Sequence, residues 1–153
     1  MTASQQHSLD IACPVDAFYA YVTQPWRWHE WHPSSRSARA AVDVLRAGDS
    51  FDEVIELCPL APFPPRLRRE THYTVLAAEP GRLFEVRGQM RDGWITIRYD
   101  FAAIPRGTRF QRTLSYDARG LSRWLLPLLR PRQEALSLLA LQSLKRRMEA
   151  AHA

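Results

Sequence analysis

Apolar positions recur along this chain with two different periods, and the change from one to the other outlines the fold. Residues 7–12 alternate, with Leu9 and Ile11 set against Ser8 and Asp10, as in a half-buried strand. Cys13-Pro14 stops that pattern, because the residue before a proline is pushed out of the helical region. Residues 14–22 then place Phe18, Tyr21 and Val22 on one face of a short helix, with proline and Asp16 in its first turn. Thr23-Gln24-Pro25 closes it, and residues 26–33 form a second short helical or irregular segment.

From residue 38 the period is two. Ala40, Val42 and Val44 predict a strand that ends at the turn Arg46-Ala47-Gly48-Asp49. Phe51, Glu53, Ile55 and Leu57 share one face of the next strand. Residues 58–65 carry four prolines and cannot be a central strand. Strand character resumes at 68–78, 83–90, 94–104 and 108–117. Glu79-Pro80-Gly81-Arg82, Arg91-Asp92-Gly93 and Pro105-Arg106-Gly107 supply the turns between them. Ile95, Ile97, Tyr99 and Phe101 alternate with polar residues on the first of the last two strands. Phe110, Leu114 and Tyr116 do so on the second, with Arg112 among them.

Residues 121–150 are the strongest helical stretch. Leu136, Leu139, Ala140, Leu144 and Met148 recur at helical steps, and Leu136, Ala140 and Leu144 are expected to face the sheet. Pro127 and Pro131 predict a kinked or broken beginning, with the uninterrupted helix starting near Pro131. Short turns make the strands antiparallel, and one curved sheet needs a cover that only this helix is long enough to give. The expected fold is therefore α+β: about six to seven antiparallel strands around a long C-terminal helix, with two short helices after the first strand.

Composition adjusts this picture little. A chain of 153 residues suits one domain, 1–153, with its core at about 7–150. It has no apolar run long enough to cross a membrane and no secretory signal at its start. Cys13 and Cys58 are too few for a disulfide framework, so a reduced, cytoplasmic protein is expected. The net charge of +5 comes mostly from scattered arginines, which argues for a solvated basic surface and against a nucleic-acid stripe.

Several local phrases resemble the SRPBCC superfamily, the helix-grip fold of START-like and polyketide cyclase/dehydrase-like proteins. They are the run from Ala12 to Phe18, Trp31-His32-Pro33, Gly48-Asp49-Ser50-Phe51, the run from Glu79 to Leu83, Gly107-Thr108-Arg109-Phe110 and the run from Leu144 to Glu149. The resemblance implies a cavity between sheet and long helix for an apolar or amphipathic small molecule. Lipid carriers, hormone-binding proteins and cyclases share that fold, so the fold does not choose among activities.

Candidate chemistry lies on the strand faces. Glu53 sits between Phe51 and Ile55, and Arg112 between Phe110 and Leu114. Turned inward, each would be a charge among apolar residues, and mutual pairing would be the economical arrangement. Glu53, Arg112 and Tyr99 are the candidate catalytic residues. The expected ligand wall is Trp26, Trp28, Phe51, Glu53, Ile55, Tyr73, Ile97, Tyr99, Phe110 and Arg112, with Trp124 and Leu128 at the mouth near the proline-rich 59–65 loop. His72 and Tyr73 face opposite ways, so at most one of them sees the cavity. His29-x-x-His32 lacks a third ligand at useful spacing, so no metal is expected. There is no nucleotide-binding loop or nucleophile elbow, hence no expected cofactor. The leading reading is a binder of a hydrophobic small molecule. The alternatives are a cyclase/dehydratase-like enzyme without metal or nucleotide, and a membrane-surface or protein interaction module.

Overall fold

The computed structural model describes residues 2–58, 62–64, 66–90 and 93–153. Strand β1 (Thr2–Ile11) leads into α1 (Val15–Val22) and a 3-10 segment (Pro25–Glu30). Six strands follow: β2 (Ser35–Ala40), β3 (Ser50–Leu57), β4 (Leu67–Glu79), β5 (Leu83–Met90), β6 (Gly93–Ile104) and β7 (Gly107–Ala118). Helix α2 (Leu121–Ala151) completes the chain. The strands form one antiparallel sheet in the order β1-β7-β6-β5-β4-β3-β2, so β1 closes against the last strand and β2 is the far edge. The helix-grip α+β architecture is thus as the residue pattern implies. Among the described residues no helix is long and apolar enough to cross a membrane.

Register fixes which side chains share the inner face, because directly opposed residues point the same way. One row crosses all seven strands: Ala40, Phe51, Tyr73, Gly88, Ile95, Tyr116 and Ala3. Another joins Phe84, Tyr99, Arg112 and His7. Gly88 is required at its place in the first row. A Cβ there would lie 2.7 Å from both Thr71 Cγ2 and Tyr73 Cε1. The missing side chain is what lets the Tyr73 ring lie against the sheet.

Three expectations need correction. The second strand runs Ser35–Ala40 and not through Val44, because pairing with β3 ends at Ala40 opposite Phe51. Val42 and Val44 are exposed, and the alternation that suggested a strand there has no partner. Helix α2 is continuous through Pro127 and Pro131. Each proline removes one amide donor, yet the surrounding turns hold the helical path. Finally, Ala140 and Leu144 of α2 are packed as expected, but Leu139 of the same helical series is not and Leu136 is only partly so. Ser137, Ala140, Leu141, Leu144 and Met148 are buried, while Leu139 is exposed and Leu136 half-buried. The small Ser137 and Ala140 on the packed face let the backbone approach the sheet. Burying Leu141, Leu144 and Met148 contributes about 1.5–3 kcal/mol each. The connection 58–65 and the 91–93 turn lie partly outside the described residues.

The short helices are pinned by polar bonds. Tyr21 donates to Glu30 Oε1 (2.9 Å), Arg27 Nε donates to the same oxygen (3.0 Å), and Arg147 Nη2 from α2 reaches the Glu30 carbonyl (2.9 Å). Trp28 Nε1 donates to the Val22 carbonyl (2.8 Å), which fixes the 3-10 segment over the end of α1.

Candidate functional site

The concave face has two unlike regions. One is packed with rings: Phe18 meets Phe110 edge-on at 5.0 Å and Phe101 at 5.8 Å, and Tyr99 meets Phe110 at 5.1 Å. The other contains Glu53, Thr71, Arg112, Gln5 and Ser35, all buried, together with half-buried Tyr116. The sequence places each of these on an inward strand position, and burial follows from the register rather than from their own preference.

Arg112 is the centre of the polar region. It is 5 % exposed, and its Nε and Nη1 have no hydrogen-bond partner. No carboxylate pairs with it directly among the described residues, so the expected Glu53–Arg112 ion pair is not formed; three strands separate β3 from β7. Its charge nevertheless acts on groups from several elements. Tyr99 is pushed up to about 12 by burial, and Arg112 opposes that rise. Tyr116 is raised by burial, against Arg112 and a bond from Gln5. Tyr73 is raised well above the usual phenol range by burial and the nearby Glu53 charge. His32 is lowered to about 3, first by burial and then by Arg112. Its Nδ1 accepts from the Ser34 amide (3.2 Å), so the ring is neutral at physiological pH.

Glu53 is also 5 % exposed, and Ser35 Oγ donates to its Oε2 at 2.7 Å. Burial raises its pKa to about 7, while the Ser35 bond and the Arg112 charge hold it from going higher. A carboxyl group titrating near neutrality can both release and accept a proton in that pH range.

Between the sheet and α2 lies a recess of about 350 Å³, lined by Ala3, Ser4, Gln5, Tyr116, Pro127, Arg130 and Gln133. That volume lies at the small end of ordinary ligand pockets. Its inner wall, Gln5 and Tyr116, belongs to the same face as Arg112, which lies four residues before Tyr116 on β7. Gln5 Oε1 is buried without a partner, like the two Arg112 nitrogens.

The predicted wall residues divide by location. Phe51, Glu53, Tyr73, Ile97, Tyr99, Phe110 and Arg112 are buried on the concave face, with Ile55 half-buried at the β2 side. Trp28 is buried with its ring edge-on to Phe51 at 5.6 Å and its nitrogen committed to Val22, so it is held in the packing; Trp26 is half-buried. Trp124 and Leu128 are exposed on the outside of α2 and do not join that face. Tyr73 is the inward member of its pair, while His72 is exposed and bonded to Asp52 (2.8 Å). Sequence reasoning did not single out Gln5, Ser35, Thr71 or Gly88, nor His32 as part of this cluster. Only Gly88, a glycine within a strand, carried a local signal of close approach.

A curled antiparallel sheet gripping one long C-terminal helix is the helix-grip architecture. The chain belongs to the polyketide cyclase / dehydrase and lipid transport family, whose model matches residues 2–149. Among solved structures it is similar to the di-domain aromatase/cyclase StfQ of the steffimycin biosynthetic pathway (TM-score 0.74, 16% identity, 99% of this chain and 52% of that one). It therefore spans about half the length of that two-domain protein. It is similar to the Zhui aromatase/cyclase from Streptomyces sp. R1128 (TM-score 0.72, 12% identity, 100% of this chain and 97% of that one). It also resembles a Polyketide_cyc-like protein from Corynebacterium glutamicum (TM-score 0.65, 20% identity, 99% and 94%). At these identities the likeness concerns the fold. No curated protein matches the sequence.

Proposed function

We propose that this protein binds an amphipathic small molecule between the sheet and α2, with an apolar body against the ring-lined region and an electron-rich oxygen on Arg112. The observation that carries this reading is the buried Arg112 guanidinium, whose Nε and Nη1 have no partner among the described residues, on the same inward face as the Gln5 and Tyr116 wall of the recess. A buried charge that is only partly hydrogen-bonded carries a desolvation cost, and an anionic or enolate oxygen from a ligand would offset that cost. Gln5 and Tyr116 at the recess are the first polar groups such a molecule would meet.

A second reading is supported by Glu53. A carboxyl titrating near 7, in a site where Arg112 could stabilise developing negative charge, suits the proton transfers of an aldol closure or dehydration. The family and the aromatase/cyclase likenesses agree with either reading.

Native mass spectrometry of protein purified from its own host, followed by extraction, tests the first reading. A recurring bound mass that is absent from Arg112→Met supports it, and no bound mass in either protein counts against it. With a ligand in hand, Glu53→Gln separates the two readings. A binder keeps its affinity and shows no turnover before or after the change, whereas an enzyme loses turnover and retains binding.

A further inference from the structure

The outer face of α2 is apolar over a length that the core does not use. Trp124 is 73 % exposed, Leu128 75 %, Leu138 47 % and Leu139 54 %. At 100° per residue these side chains and exposed Ala135 fall on one stripe, opposite the packed Ala140 and Leu144. The stripe runs about 23 Å along the helix, far more than a stray exposed leucine needs. Exposed Arg132 and Arg146 border it, and α2 carries six basic residues against two acidic ones. Both acids are paired with bases of the same helix: Glu134 with Arg130 (3.4 Å) and Glu149 with Lys145 (3.2 Å).

We infer that this stripe docks the protein on an anionic lipid surface, with Trp124, Leu128, Leu138 and Leu139 in the headgroup–acyl boundary and the arginines on the lipid phosphates. Charge decides the occupant. The chain has a net charge of +5, and a negative surface attracts an apolar face bordered by arginines. A second copy is disfavoured, because a two-fold contact through the same stripe sets like charges against each other. Tryptophan and leucine with arginine at the margin is the composition that settles at a bilayer interface. The inference stands whether or not the recess holds a ligand.

The test is flotation of the full chain with vesicles of phosphatidylcholine, with and without phosphatidylglycerol. The wild type is expected to float with the anionic vesicles only and to be released as salt rises. Trp124→Asp with Leu128→Asp should partition at least about tenfold more weakly while keeping its circular dichroism and melting temperature. Should that variant fail to fold, Leu138→Ser with Leu139→Ser serves the same purpose with a milder change. The inference is overturned if the wild type does not float with anionic vesicles, or if folded variants float equally well. It is also overturned if sedimentation shows a wild-type dimer that the variants make monomeric, which would assign the stripe to a second copy.

Discussion

The two regions of the concave face are built from the same strands, yet they answer to different demands. Around Phe18, Phe84, Phe101 and Phe110 every ring is fully or nearly buried and touches other rings, as a core optimised for stability requires. Around Arg112 and Glu53 burial is as deep, but the polar atoms are incompletely paired. Nothing in folding alone favours that second arrangement, since an apolar residue of similar size would avoid the desolvation cost. Two residues apart on β7, Phe110 holds the fold together and Arg112 is tolerated by it. The difference separates what the sheet needs to exist from what it carries for another purpose.

Substitutions in the two regions should therefore change stability in opposite directions. The largest effect is expected from Phe110→Ala, which opens a cavity in the ring-packed region and should cost about 3–5 kcal/mol in urea denaturation. A loss under about 1 kcal/mol would mean that the ring cluster is not the main core.

Glu53→Gln should do the reverse, and only at higher pH. The folded-state pKa of Glu53 lies near 7, above the ordinary 4.5, so the native state holds its proton more tightly than the unfolded state does. Its contribution is thus most favourable at low pH and is lost as pH rises from about 4.5 to about 7. Removing the titration should stabilise the protein by up to about 3 kcal/mol at pH 8 and leave it nearly unchanged at pH 4. Melting curves at the two pH values check this, and an equal shift at both would show that Glu53 is not a buried titrating group.

Gly88→Ala sharpens the boundary between the regions, because its methyl would press on Thr71 and Tyr73 on one side and Ile95 on the other. A loss of about 1–3 kcal/mol is expected from overpacking. The ring of Tyr73 must move with it, and an unchanged Tyr73 side-chain resonance in NMR would contradict the contact. Smallest of all, Leu139→Ser on the outer face of α2 should alter stability by less than about 0.5 kcal/mol, whatever it does to lipid binding.

Much of this was legible in the residues. Alternation grouped Phe51, Glu53 and Ile55 on one face of their strand and Phe110, Arg112 and Leu114 on one face of theirs, because a period of two leaves only two choices per strand. The relation between Glu53 and Arg112 was not legible. It depends on strand order and on the curl of the sheet, and neither is encoded within one strand. The Ser35–Glu53 bond was hidden for a similar reason, since β2 begins earlier than the alternation of Val42 and Val44 suggested. The packed face of α2 was legible only in part, at Ala140 and Leu144, because leucines lie on both sides of the helix, at Leu138 and Leu139 as well as Leu141 and Leu144. Burial chose between them through the small Ser137 and Ala140, which hydrophobicity alone does not rank. That surplus of leucine is the apolar stripe on the outside of the helix.

The central claim is that Arg112 is kept for a ligand and not for the fold, and Arg112→Met tests it most directly. Thermal melts of wild type and variant, purified free of bound molecules and then mixed with the compound extracted from the native protein, give both answers in one experiment. Without the compound the variant is expected to be more stable by about 1–4 kcal/mol, the gain from replacing a buried charge that pairs with no carboxylate among the described residues with an apolar chain. With the compound only the wild type should melt higher. A variant that is less stable on its own, or one that the compound stabilises as much as it does the wild type, would show that Arg112 is a structural residue.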